Sequence, residues 1–238
     1  MDNLKDKVII ITGASKGIGR VTALKLAPCS PKLVLVSRKI EDLKKVHSEY
    51  PGDKENLLLI ETDISKEADC NKIVDETINK FGKIDILVNN AAQFNHAKVI
   101  DLKLEDFDRV WMTNVRGVIF LTKLVLPYMI KQNCGTILNV SSTAGKRGYV
   151  IGAAYAASKF ALNGFSECLL REVREYNIRV LTVSPSMVDT KIKNESEIKE
   201  GGKGVYMRVE DVADTIIFSL NLPQRALIKD FEIWGTNP

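Results

Sequence analysis

Residues 8–19 read Val8-Ile9-Ile10-Ile11-Thr12-Gly13-Ala14-Ser15-Lys16-Gly17-Ile18-Gly19, an apolar run that breaks straight into glycines at 13, 17 and 19. Consecutive β-branched residues favour a strand buried on both faces, as in a parallel sheet covered by helices on each side. The stretch from Arg20 to Ala27 has helical apolar spacing, so the glycines lie in a strand-to-helix turn. Glycine there permits tight backbone geometry and close approach of a pyrophosphate. The helix N-terminus offers that group unpaired N–H donors and the positive end of its dipole. The spacing G-x-x-x-G-x-G differs from the longer dinucleotide fingerprint and from the triphosphate loop, since no Gly-Lys-Ser/Thr follows. A glycine-rich turn that binds nothing is the competing reading, weakened by the position directly after the first strand.

The same alternation runs outward from this turn. Strands are expected at Val8–Thr12, Lys32–Ser37, Leu57–Glu61, Ile84–Asn89, Thr136–Ser141, Arg179–Ser184 and Leu227–Ile233. Helices are expected between them, including Ala68–Phe81, Leu104–Lys131 and Ala153–Tyr176, where apolar residues recur at three- and four-residue spacings. Strand–helix alternation predicts an α/β fold with a doubly wound parallel sheet of about seven strands. At 238 residues the chain fits one such domain, residues 1–238. Lys191 to Gly204, KIKNESEIKEGGKG, breaks the rhythm, and the sequence leaves open whether it is a lid over a site or a surface helix and loop.

Bulk properties narrow the class. Lys and Arg number 34 against 30 Asp and Glu, with both signs interspersed, so no nucleic-acid-binding stripe is present. Cys29, Cys70, Cys134 and Cys168 are scattered, and His47 and His96 lie apart from them, which argues against a disulfide framework and a zinc site. No metal is expected. The charged stretch Met1 to Lys7 and the short apolar run after it do not resemble a signal peptide. Val118 to Ile130 is interrupted by Lys123 and Pro127 and falls short of a membrane span. A cytoplasmic protein without membrane or nucleic-acid partners is the expectation.

Candidate chemistry comes from Tyr155-Ala156-Ala157-Ser158-Lys159, which puts a phenol and an ammonium four residues apart on one helix face. A cation beside a tyrosine favours the ionised phenol and lowers its pKa from about 10 toward the neutral range, making a usable acid/base. Taken alone, a Tyr-x-x-x-Lys spacing is common by chance. Ser142 follows the strand Thr136–Ser141, at the sheet end where open α/β folds place their ligand crevice, and its hydroxyl suits a carbonyl oxygen or a turn cap. The end of the second strand reads Ser37-Arg38. An acid in that place would bind a ribose 2′-hydroxyl, whereas an uncharged serine and an arginine fork suit a 2′-phosphate, and so NADP.

In order along the chain, Thr12–Gly19, Asp63, Asn89-Asn90-Ala91-Ala92, Asn114, Ser142, Tyr155/Lys159 and Pro185 through Thr190 resemble the short-chain dehydrogenase/reductase family, and the likeness covers nearly the whole chain. The resemblance implies a Rossmann-type fold and an NADP-dependent oxidoreductase. In it Tyr155 would give a proton to a carbonyl as hydride arrives from the nicotinamide, and Ser142 would hold the same oxygen. It further implies that Lys159 binds the nicotinamide ribose and that the backbone of Asn114 holds a water in a proton relay. Cofactor contacts are implied for Gly13, Ser15, Lys16, Gly17, Ile18, Gly19, Ser37, Arg38, Asp63, Ile64, Asn90, Ala91, Tyr155, Lys159, Pro185, Val188 and Thr190. Asp63 falls to the adenine, Asn90 to the adenosine ribose, Val188 and Thr190 to the carboxamide, and Lys16 to the 2′-phosphate.

Two departures stand out: Ala92 and Ser186 replace the family's usual glycines, which would strain the loops if either position required positive φ. The motifs are close to those of carbonyl reductases and β-ketoacyl-acyl-carrier-protein reductases. The latter usually finish with a glycine-rich segment, whereas Arg225 to Trp234 here runs almost to Pro238, which is more like reductases of small carbonyl and hydroxy compounds. A catalytically silent NADP-sensing or scaffold protein is the alternative of another class. Phe94, His96, Thr143, Tyr149, Met187 and Met207 are candidate pocket walls. The resemblance implies a homodimer or homotetramer through the helices at Leu104–Lys131 and Ala153–Tyr176; the apolar surplus of Val118, Phe120 and Leu121 fits that, with burial inside one monomer as the competing reading.

Overall fold

A computed structural model describes residues 2–189 and 207–236. In chain order the strands are β1 (Val8–Thr12), β2 (Lys32–Ser37), β3 (Leu57–Glu61), β4 (Ile86–Asn89), β5 (Gly135–Val140), β6 (Ile178–Pro185), the short pair β7 (Val188–Asp189) and β8 (Met207–Arg208), and β9 (Asp230–Ile233). The helices are α1 (Gly17–Lys25), α2 (Ile40–Glu49), α3 (Glu67–Phe81), α4 (Leu104–Trp111), α5 (Val118–Gln132), α6 (Ala153–Val173) and α7 (Val209–Leu220). The main sheet is parallel throughout, in the order β3-β2-β1-β4-β5-β6-β9. The chain runs outward from β1 to β3, then returns to place β4 on the other side of β1. That reversal opens a crevice beyond the C-terminal ends of β1 and β4.

Alternation along each strand explains the continuous apolar runs. Ile9 and Ile11 join one buried cluster with Ala23 of α1, Leu43 of α2 and Ile216 of α7. Val8 and Ile10 join the other with Ile73 of α3, Val125 of α5 and Leu169 of α6. Every residue of β1 is buried, as a strand covered on both faces requires. Contacts far apart in sequence close the fold: Lys25 of α1 pairs with Asp214 of α7 at 2.6 Å, and the Asn3 side chain donates to the Asn221 carbonyl at 2.8 Å.

Three expectations are corrected. The last strand begins at Asp230 rather than Leu227. The buried guanidinium of Arg179 takes the Leu222 and Ala226 carbonyls, at 3.0 and 3.2 Å, together with Leu220 O at the end of α7, so the chain before Lys229 serves that cation instead of the ladder. The helix expected over Leu104–Lys131 is interrupted by a π-helical turn, Met112–Gly117, between α4 and α5. A side chain at Gly117 would run into the main chain of Ile64, so the wider turn and its glycine let the helix lie against the segment after β3. Finally, Val118 and Leu121 are fully buried within this one chain and Phe120 packs against the same core, so they leave no apolar surplus. Leu104, Trp111, Ile119, Ile130 and Phe160 are the large apolar residues exposed on these helices. Among the described residues no helix is long and apolar enough to cross a membrane.

Candidate active site

The glycine turn stands at the mouth of the crevice. Gly13 and Gly17 have φ of 67° and 55°, a region that L side chains rarely adopt. A Cβ on Gly13 would come within 2.9 Å of Ala91 Cα, and one on Gly19 within 2.5 Å of the Asn90 side chain, so bare backbone is also required sterically. Asn90 lies behind the turn and holds it, its amide donating to Thr12 O at 2.9 Å and Gly13 O at 3.2 Å. Thr12 Oγ1 accepts from the amides of Asn90 and Ala91, locking β1 to the segment after β4. The first turn of α1 has neither a side-chain cap nor an acidic residue, which leaves its amides facing the crevice. Lys16 stands at the N-cap.

At the end of β2, Ser37 is buried and its hydroxyl turns back to Lys39 O at 3.1 Å, while Arg38 is exposed. Among the described residues neither Arg38 nor Lys16 forms a salt bridge. The charge of Lys16 does reach Asp42 at the start of α2, which Lys45 chiefly, and Lys16 in smaller part, hold below the usual carboxylate range. Asp63 accepts from Ser65 N at 3.0 Å in a tight turn, and Ile64 beside it is buried.

Tyr155 and Lys159 share the inward face of α6 and are both buried. Ser142, two residues beyond β5, accepts from Ala144 N at 3.1 Å and hydrogen-bonds the Tyr155 phenol. Lys159 Nζ donates to Val140 O at 2.8 Å and stands 5.6 Å from the centre of the tyrosine ring. The expected depression of the tyrosine pKa by this lysine is not what the geometry gives. Burial pushes Tyr155 well above the ordinary phenol value, and only the Ser142 hydrogen bond draws it back. Burial likewise pushes Lys159 down to about 7. With no counter-ion in contact among the described residues, desolvation outweighs the mutual effect of the two groups.

Asn114 sits at the centre of the π-helical turn. Its side chain accepts from Gln93 N at 2.7 Å and donates to Gln93 O at 2.9 Å and Ser158 Oγ at 3.0 Å. Ser158 in turn donates to Tyr155 O at 2.7 Å. Side-chain amide, serine and tyrosine backbone thus form one chain linking the loop after β4 to α6. Ser158 was absent from the expected site, although its place between Tyr155 and Lys159 on one helix face is a signal the spacing carries.

Among the expected pocket walls, Phe94 stacks on Tyr155 with ring centres 4.5 Å apart, and His96 lies 6.3 Å from Tyr149. Thr143 follows Ser142 in a short 3-10 turn, and Met187 is exposed. Met207 is a correction: it is buried in the core, where β8 pairs it with Val188. Pro185 ends β6, and its carbonyl lies 3.4 Å from Ser142 Oγ. Neither Ala92 nor Ser186 has positive φ, so replacing glycine at these positions strains neither loop. Thr190 and the stretch Lys191 to Gly204 lie outside the described residues. A cavity of about 70 Å³, lined by Asn163, Ser166, Thr182 and Lys229 among others, lies between α6 and the strands β6 and β9; it has room for a few waters and does not include Tyr155.

The family model described as short chain dehydrogenase matches residues 7–201. This chain belongs to the short-chain dehydrogenase family. It is 34% identical over 240 residues to an NADP-dependent 3-hydroxy acid dehydrogenase of Schizosaccharomyces pombe, covering 97% of this chain and 93% of that one. A metagenomic short-chain oxidoreductase solved in complex with NADP superimposes with a TM-score of 0.84 at 28% identity, over 98% of each chain. A 3-ketoacyl-(acyl-carrier-protein) reductase from Brucella melitensis, complexed with NADH, gives 0.87 at 32% identity, also over 98% of each. As a short-chain dehydrogenase the chain has its seven-stranded sheet and its crevice where a dinucleotide-binding fold requires them.

Proposed function

We propose that this short-chain dehydrogenase is an NADP-dependent carbonyl reductase, interconverting a small carbonyl or hydroxy compound and the corresponding secondary alcohol or ketone. The observation that carries the reading is the convergence of Ser142 and Lys159 on Tyr155 at the crevice end of the sheet. The crevice suits a dinucleotide: the uncapped amides of α1 match a pyrophosphate, and the glycine cradle has no room for a side chain. Exposed Arg38 and Lys16 beside an uncharged Ser37 suit a 2′-phosphate. The Schizosaccharomyces relative and the metagenomic structure, both named with NADP, support the same choice.

When bound, the nicotinamide supplies the hydride. Ser142 holds the carbonyl oxygen, and the Tyr155 hydroxyl gives that oxygen its proton. A phenol held protonated by burial is suited to act as the acid in the reductive direction. Lys159, one turn along α6, supplies positive charge beside the phenol while it remains protonated. The Asn114 side chain fixes the loop that covers the ring.

Following cofactor absorbance with a panel of ketones, with NADPH and NADH in parallel, tests this reading. Turnover of simple ketones with NADPH is the expected result. No turnover with any ketone would favour a silent cofactor-binding protein. Turnover confined to acyl-carrier-protein thioesters would favour the second reading, a 3-ketoacyl reductase, which the Brucella likeness supports. A dimer or tetramer, joined through the exposed Trp111, Ile119 and Phe160, completes the proposal and is checked by light scattering.

A further inference from the structure

The geometry points to Phe94 as the specificity-determining residue: resting on the reductase reading above, its ring is the platform for a planar apolar or aromatic group attached to the substrate's carbonyl carbon. The two stacked rings are unequally covered. Tyr155 is 7% exposed, whereas Phe94, lying over it with planes 28° apart, is 56% exposed. One face of Phe94 therefore shields the phenol and the other is presented at the entrance. A free phenylalanine face beside the reacting oxygen rewards a flat apolar partner.

The platform is held at both ends. The Asn114 side chain grips both main-chain groups of Gln93, immediately before Phe94. Three residues after it, Ala97 N donates to Ile151 O at 3.0 Å. Ile151 carries φ of 64°, a strained conformation for a β-branched residue, adopted where its carbonyl meets this loop.

The surroundings also favour an uncharged substituent. Residues 92–97, Ala-Gln-Phe-Asn-His-Ala, contain no lysine, arginine or carboxylate. On the facing loop the two cations are directed to the C-terminal strand, Lys146 pairing with Asp230 at 2.7 Å and Glu232 at 3.1 Å, and Arg147 lying 5.4 Å from the Trp234 ring centre. Tyr149 and Ile151, half-exposed, add apolar surface on that side.

The test compares wild type, Phe94→Ala and Phe94→Leu on an aryl methyl ketone (acetophenone) and a small aliphatic ketone (butanone), with NADPH. Aromatic stacking of about 0.5–1.5 kcal/mol corresponds to roughly a two- to twelvefold loss of kcat/KM on acetophenone for Phe94→Ala, with butanone changed less than about twofold. Phe94→Leu, which keeps cover without a ring, should fall between. The pH profile of alcohol oxidation separates this role from simple loop packing. In Phe94→Ala water reaches the phenol, and the alkaline limb should move to lower pH by about one unit, while Phe94→Leu should hold it near wild type. Equal loss on both ketones, or no loss on acetophenone, would overturn the inference and leave the reductase reading standing. A wild type that reduces neither ketone would overturn both.

Discussion

Lys159 and Val140 are joined by a 2.8 Å hydrogen bond from the lysine ammonium to the strand carbonyl. This bond ties the helix carrying the phenol to the last residue of β5, two positions before Ser142. The acid and the group that holds the substrate oxygen are thereby set relative to one another before any ligand arrives. The same bond serves a buried cation that has no carboxylate partner among the described residues, which makes Lys159 costly for folding and useful for chemistry.

Lys159→Met should therefore stabilise the fold while abolishing turnover. The lysine's folded-state value, about 7, lies below its ordinary 10.5, so at neutral pH the unfolded chain binds a proton that the native chain holds weakly. The penalty is complete below about pH 7 and fades as pH rises toward 10.5. Loss of the bond to Val140 O offsets part of the gain, leaving on the order of 1–3 kcal/mol in urea unfolding at pH 7. A variant less stable than wild type at that pH would contradict the account.

Tyr155→Phe removes the transferable proton with little change in packing. Turnover should fall by about 10²–10⁴-fold, with NADPH affinity, read by fluorescence titration, nearly unchanged. Activity within tenfold of wild type would remove Tyr155 from its role.

The two burial shifts predict opposite pH profiles for the two directions of reaction. Tyr155 stays protonated far into the alkaline range, so oxidation, which needs the phenolate, should still be climbing at pH 10. Reduction has its proton throughout, but the ammonium that assists it is lost as pH rises through about 7, and kcat/KM should decline there. Matched profiles for ketone and alcohol are the measurement.

Arg38→Asp should reverse the cofactor choice. Losing the fork weakens NADPH by roughly tenfold to a hundredfold if its bonds to phosphate are worth about 1.5–3 kcal/mol, and the new carboxylate adds repulsion. The ratio of kcat/KM for NADPH and NADH decides it. A wild type that prefers NADH would show that the exposed Arg38 and Lys16 are ordinary surface charges.

The strands were legible because β-branched runs buried on both faces leave little else for Val8–Ile11 or Leu33–Val36 to form. The glycine turn was legible from its place directly after the first strand, whereas Ser142, Tyr155 and Lys159 were singled out by the family resemblance, since their spacing alone is common by chance. What the sequence did not disclose depends on contacts between distant segments. Phe94 reaches Tyr155 because Asn114, 21 positions from Gln93, grips the loop, and nothing local to Phe94 records that. The π-helical turn arises from the approach of Gly117 to Ile64, which helical periodicity does not register. The direction of the tyrosine shift was misjudged because spacing reveals the neighbouring cation and conceals the depth of burial that outweighs it.

The pairing of α1 with α7 has a consequence for how the chain is made. Lys25 meets Asp214 across 189 positions, and Asn3 meets Asn221 across 218. On a ribosome adding about 5–20 residues per second, the helix behind the glycine turn waits roughly 10–40 seconds for the partner that covers it. During that interval Ala23 and Leu26 have no α7 to pack against, although the strands beside them are already synthesised. Assembly of the nucleotide crevice is thus among the last events of biogenesis, and nascent chains stalled before residue 209 should depend on chaperones where the released chain does not.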